Sequence, residues 1–106
     1  MTYDEAIKEL REGPLSILSE KALDRLILII GQVTESAYRR GYSAAIAEDA
    51  ARSPAGKAMH RDMWISAQTR LAEIEDRLNA ITGEQCGIFE NLDLIKARWA
   101  DRKESK

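Results

Sequence analysis

The sequence predicts an all-α protein of four helices built around a long antiparallel helical hairpin, a helical bundle completed by dimerisation. Three observations predict it. Apolar residues recur at steps of three and four through nearly the whole chain, the spacing that lines one face of a helix. No segment alternates apolar and polar residues with the period of two that a half-buried strand requires, and no Asn-Gly or Asp-Gly pair marks a hairpin of strands. The chain has only two prolines, Pro14 and Pro54, and each stands at a break in the apolar pattern rather than inside it.

The elements follow in order. Thr2 and Glu5 have the spacing of a capping box, which opens a short helix over 3–12 with Tyr3, Ile7 and Leu10 on one face. Gly13-Pro14 ends it, since glycine suits a left-handed cap and proline cannot continue a helix. Ser19 reads as the N-cap of a long helix over 19–51. Leu23, Leu26, Ile30, Val33, Ala37, Gly41 and Ala44 form its apolar stripe. Leu28 and Ile29 lie off that stripe, which predicts burial by more than one neighbour. Gly31 and Gly41 each cost about 1 kcal/mol relative to alanine in a helix interior. Because the pattern runs through both, they are expected to permit close packing or a bend. Ser53-Pro54 puts serine at the N-cap and proline at the first position of a third helix, 54–82. Its stripe, Trp64, Ala67, Leu71, Ile74, Leu78 and Ile81, steps by three and four in alternation, which is heptad spacing. Gly83 caps it and "GEQCG" (83–87) turns the chain. A fourth helix, 88–102, carries Ile88, Leu92, Ile95 and Trp99, and the terminal "DRKESK" is expected to fray.

Two helices of about 30 residues, each roughly 45 Å long, joined by a short loop form a hairpin. Together with two shorter helices they hide only part of the stripe surface within one chain. Leu23, Leu26, Ile30 and Val33 of one long helix, and Leu71, Ile74, Leu78 and Ile81 of the other, are therefore read as core or dimer-interface positions, and the chain itself is a predicted partner.

Composition bounds the function. With 106 residues, one domain is expected, and 44% apolar against 32% charged residues is the balance of a packed rather than a disordered chain. The formal charge of −2 excludes a strongly basic nucleic-acid binder on bulk charge and makes nucleic acid an unexpected primary partner. The longest apolar run, "LILII" at 26–30, is too short to cross a bilayer. The N-terminus has no basic region leading into an apolar one, and Cys86 is the only cysteine, so the reading is a cytoplasmic chain without a signal peptide or an internal disulfide.

Charge is unevenly spread. Residues 39–70 carry a local +3, residues 1–38 sum to −3 and residues 71–106 to −2. The positive stretch contains "AYRRGYSAA" (37–45), in which Tyr38 and Tyr42 fall at i, i+4 on a helix. If the hairpin turns near residue 53, residues 38–46 face roughly 60–68. Tyr38, Arg39, Arg40 and Tyr42 then share a region with Lys57, His60, Arg61 and Trp64, the candidate contact surface. Arginine with aromatics suits carboxylates on an acidic protein surface, or phosphate. Packed tyrosines beside solvated arginines give the same pattern without a site.

Other chemistry is thin. "ARSPAGKA" (51–58) echoes the end of a phosphate-binding loop, but Ala51 stands where that loop needs glycine and Ala58 where it needs serine or threonine. His60 and Cys86 have no second ligand at metal spacing, so no metal or other cofactor is expected. Cys86 lacks a base at hand to make it a nucleophile. Glu73, Glu75 and Asp76 read as a solvated helix face. No catalytic residue is assigned and the chain is read as a non-enzyme.

With "AYRRGY" on a long helix, and a composition rich in Ala, Arg and Glu, the chain is similar in style to small helical proteins encoded by phages and mobile elements. That resemblance implies a non-enzymatic protein that occupies a surface of a host or defence complex, CRISPR inhibitors included. The leading functional expectation is thus an inhibitor or adaptor acting by contact with another protein or nucleoprotein complex that offers an acidic surface. The alternatives are a binder of a small phosphorylated or nucleotide-like ligand at a dimer interface, a weak nucleic-acid accessory protein, and a structural subunit of a helical assembly.

Overall fold

The structure is a computed structural model and describes residues 2–13 and 18–104. It contains α1 (Tyr3–Glu12), α2 (Glu20–Ala50), α3 (Pro54–Thr82) and α4 (Ile88–Glu104), with no strand among the described residues. The chain divides into two compact units, residues 1–33 with 75–106, and residues 34–74.

Helix ends follow local hydrogen bonding. The Thr2 hydroxyl accepts from the Glu5 amide at 3.3 Å, the Ser19 hydroxyl from the Ala22 amide at 3.2 Å, and the Ser53 hydroxyl from the Gly56 amide at 3.1 Å. Each satisfies an amide that the first helical turn leaves without an intrahelical acceptor. Gly83 ends α3 with φ +76°, and its N–H donates to the Asn79 carbonyl at 2.8 Å, so the left-handed cap expected there forms. Gly13 differs. Its φ is −82° and ψ 141°, an extended backbone rather than a left-handed one. Glycine is needed for space instead: a Cβ there would stand 2.7 Å from the Glu9 carbonyl oxygen that its own N–H bonds. The expectation for Pro14 lies outside the described residues. The tail stays helical through Glu104, beyond the point where fraying was expected.

The first unit joins α1, residues 20–33 of α2, residues 75–82 of α3, and α4. Its core is Ala6, Ile7 and Leu10, then Leu23, Leu26 and Ile30, then Leu78, then Ile88, Leu92 and Ile95, all buried. Burying each of the larger side chains contributes about 1.5–3 kcal/mol. Polar contacts fix the elements around it. Arg77 on α3 reaches the Asp4 carboxylate on α1 at 3.1 Å while lying over the Tyr3 ring, 5.6 Å from its centroid. Trp99 on α4 donates its indole N–H to the Leu18 carbonyl at 2.9 Å, and Lys96 pairs with Asp24 at 3.4 Å.

The α3–α4 connection is held by a buried polar knot. Asn91, with no exposed surface, donates from Nδ2 to Asn79 Oδ1 at 2.8 Å and to the Cys86 carbonyl at 3.1 Å. Its Oδ1 accepts from the Thr82 hydroxyl at 2.7 Å, while Asn79 Oδ1 also accepts from the Cys86 amide at 3.2 Å. Arg98 donates to the Thr82 carbonyl at 2.7 Å, one of the carbonyls that a helix C-terminus leaves over.

The second unit is a two-helix hairpin, residues 34–50 against 54–74. Thr34, Leu71 and Ile74 are buried at the end away from the turn, and toward the turn the seam is made of small residues: Ala37, Gly41 and Ala44 on α2 and Ala67 on α3 are buried. A Cβ on Gly41 would lie 3.4 Å from the Ala67 Cβ, so the glycine is where the two backbones come closest. Apart from its chain neighbours and its own helix backbone, no described atom lies within 4 Å of a Cβ built on Gly31, so close packing explains Gly41 and not Gly31.

Two sequence expectations about burial change. Leu23, Leu26, Ile30, Leu71, Ile74 and Leu78 are buried within the single chain, and Val33 and Ile81 are half-buried. The stripe is spent on the chain's own core, so the argument for a dimer from uncovered stripe surface loses its basis. Leu28, expected to be covered, is 59% exposed because no second neighbour among the described residues covers that side of α2, while Ile29 is half-buried.

Candidate functional site

The predicted contact residues all lie in the hairpin unit, 34–74. Register follows from its seam: Gly41 stands against Ala67, and Arg61 reaches Glu48 across the helices at 2.8 Å. The consecutive run of residues 38–42 nonetheless does not form one patch. At 100° per residue, Arg40 is turned about 160° from Tyr38, so the two leave the seam on opposite flanks.

On one flank, Arg40 sits at the junction of two shallow grooves. One, of about 400 Å³, is lined by Ala37, Arg40, Asp62, Met63, Ser66, Ala67 and Arg70. The other, of about 310 Å³, is lined by Arg39, Arg40, Ser43, Ala44, Ala47, His60 and Met63. Both combine an apolar floor of alanine and methionine with arginine at the sides; Asp62 also lines the first, where Arg70 pairs with Glu73 at 3.7 Å. Arg40 has no carboxylate within ion-pair distance among the described residues; its guanidinium donates to the Ser36 hydroxyl at 3.5 Å. His60 is half-buried in the same flank.

On the other flank lie Tyr38 and Tyr42, one turn apart on α2, and Ile46 one turn further. Tyr42 is 72% exposed. Trp64 on α3 is 40% exposed and occupies the same side of the seam by helical rotation. It was expected within the α3 stripe, but the seam opposite it offers only Ala44, so no pocket takes the indole. Two of the candidate arginines are already neutralised: Arg39 pairs with Glu35 at 2.6 Å and Arg61 with Glu48. Both pairs are exposed and contribute at most about 1 kcal/mol, but they remove cations from the surface available to a partner. Lys57 is exposed on the first turn of α3.

Sequence reasoning missed four exposed apolar residues of this unit, Ile46, Met59, Met63 and Ile65. The signal was present, since each falls outside the three-and-four stripe of its helix. Apolar residues off a stripe were instead expected to be covered. Seven of the nine large apolar side chains exposed among the described residues belong to residues 38–65.

No group of three or more His, Cys, Asp and Glu side chains is placed to hold a metal among the described residues, and no described helix is long and apolar enough to cross a membrane. Cys86 is half-buried in the 83–87 turn. Partial burial, then the carboxylates of Glu90, Glu84 and Glu75, push its thiol above the ordinary value, against an opposing pull from Arg98. The thiolate is the reactive form, so Cys86 is expected to react with iodoacetamide more slowly than free cysteine at pH 7.5. Its rate should keep climbing with pH after free cysteine has levelled off. A native rate at or above that of free cysteine contradicts this placement.

Comparison of the chain with protein-family models, with curated proteins and with solved structures finds no match.

Proposed function

We propose that the chain is a non-catalytic binding protein, an inhibitor or adaptor, that works by protein–protein contact through the hairpin of residues 34–74. The observation that supports this reading most is the concentration of exposed large apolar side chains on that unit, beside arginine-lined grooves. Contiguous apolar surface edged by polar groups is characteristic of surfaces that are covered in function. Arginine, methionine and aromatic residues are the types enriched where proteins meet.

The grooved flank suggests how a partner is recognised. Met63 and the seam alanines receive an apolar side chain, while Arg40 faces an acidic group beside it. Occupation of a surface on a larger complex, a host-defence complex among them, is the form of inhibition that this arrangement suits. A second reading has a specific observation in its favour. Arg40, Ser43 and His60 line one groove, a donor set suited to a phosphorylated small ligand.

The experiment uses tagged wild type and an Arg40→Glu, Met63→Ser variant as parallel baits in lysate of the cells that make the protein. A stoichiometric protein or nucleoprotein complex is expected to stay on the wild type and to bind the variant at least about tenfold more weakly, the loss typical of a residue central to an interface. Equal retention by both baits sinks the reading. A thermal shift with nucleotides, absent in the same variant, transfers the groove to the small-ligand reading.

A further inference from the structure

We infer that the aromatic flank of the hairpin, the ridge Tyr38–Tyr42–Ile46 with Trp64 beside it, is the contact between two copies of this chain. The inference rests on the reading of residues 34–74 as a docking unit and names the occupant of its second flank. It also moves the dimer from the apolar stripe, which the chain buries itself, to the outward side of the same helices.

Three features select a second copy over another occupant. The first is area. Tyr38, Tyr42, Ile46 and Trp64, each with about 200 Å² of total surface and exposed by two-fifths to nearly three-quarters, offer roughly 430 Å², close to the apolar share of the ≈ 800 Å² per partner of a specific interface. The second is the weakness of the unit's own core. Leu71 and Ile74 aside, its seam of Ala37, Gly41, Ala44 and Ala67 brings two backbones together but buries little apolar surface, and helices packed this way normally have their outer sides covered by further helices. The third is charge. On this flank Arg61 is paired with Glu48, and residues 34–74 as a whole carry six Lys/Arg against five Asp/Glu. An acidic partner would gain little here, whereas a two-fold contact requires a patch that tolerates its own copy.

The ridge also has a suitable shape. Tyr38, Tyr42 and Ile46 are spaced by four, and rows of that spacing interdigitate with like rows when the helix axes cross at about 50°. Tyr42, the middle member, then lies nearest its counterpart across the two-fold axis. The Arg40 grooves, on the opposite flank, stay open to the partner proposed above.

The test is the mass of the full chain in solution, by sedimentation and light scattering across micromolar concentrations. The wild type is expected at twice 11.9 kDa. Tyr42→Glu and Ile46→Glu, both at exposed positions, are expected at the monomer mass with unchanged helical circular dichroism. Leu28→Glu, equally exposed but in the other unit, is expected to remain a dimer. As a measurement independent of those variants, Tyr42→Cys in a Cys86→Ser background is expected to oxidise to a disulfide-linked dimer. A monomeric wild type overturns the inference. So does a dimer indifferent to Tyr42→Glu and Ile46→Glu, or a mass that grows beyond two chains, which indicates an open assembly. Loss of bait binding in Arg40→Glu, Met63→Ser alongside a monomeric wild type would leave the functional reading standing and remove this inference alone. A dimer with no Arg40-dependent partner would do the reverse.

Discussion

Asn91→Asp is expected to destabilise the unit of residues 1–33 and 75–106 by about 4 kcal/mol, a fall in Tm of ~20 °C. The substitution is nearly isosteric, so packing is not the cause. Asn91 has no exposed surface, and its Nδ2 gives hydrogen bonds to two acceptors, Asn79 Oδ1 and the Cys86 carbonyl. A carboxylate would set a buried negative charge against both. The Thr82 hydroxyl, whose single proton is within reach of both this side chain and the Leu78 carbonyl, could still serve one carboxylate oxygen, but nothing replaces the two lost donors. The sign of the pH dependence is fixed by burial. The new carboxyl would titrate above the ordinary aspartate value, because desolvation disfavours its charged form. The protonated acid can donate once, so the deficit relative to wild type should shrink as pH falls through that raised value. Thermal melts of both proteins between pH 4 and pH 8, read as differences, check this; a deficit independent of pH would mean that the position is not buried as the structure places it.

Gly41→Leu is expected to cost about 2–3 kcal/mol through overpacking and to disable both flanks of the hairpin. A Cβ at Gly41 would already stand 3.4 Å from the Ala67 Cβ and 3.5 Å from the Gln68 side-chain nitrogen. That is ordinary contact for one carbon and leaves no room for three more. Gly41→Ala is therefore expected to stay within about 1 kcal/mol of wild type, since one methyl fits at contact distance and alanine favours the helix. Leucine must push α2 and α3 apart, which separates the two walls of the Arg40 grooves and splits Trp64 from the tyrosine ridge. The check is a pair of denaturant titrations with the solution mass of each variant. A leucine variant as stable as alanine would show that the helices do not meet at this residue.

The four helices and most of their ends were legible because they are short-range matters. A hydroxyl at Thr2, Ser19 or Ser53 satisfies amides three residues away, and Gly83 supplies the one left-handed backbone that the α3 end requires. The stripe through Leu23, Leu26 and Ile30 was equally legible, since a 3.6-residue repeat needs no knowledge of what it packs on. Even the hairpin register could be reached from the turn at residues 51–53.

Tertiary structure decided the rest. Whether Leu28 or Trp64 is covered depends on how wide the neighbouring helix is at that level, and a seam of alanines and glycine covers less than the heptad pattern promises. Whether an arginine is available depends on a carboxylate that for Arg39 lies one turn away, but for Arg61 lies on the other helix. Asn91 follows Ile88 by three residues on the buried side of α4, yet its value is invisible until Asn79, Thr82 and Cys86 converge on it. The sequence by itself determined where the chain is helical and which side of each helix faces inward, because those follow from local hydrogen bonds and periodicity. Only the tertiary structure decided which large apolar side chains stay exposed and that most of them belong to residues 34–74. Exposure and charge pairing are set by what a neighbouring helix brings within a few ångströms.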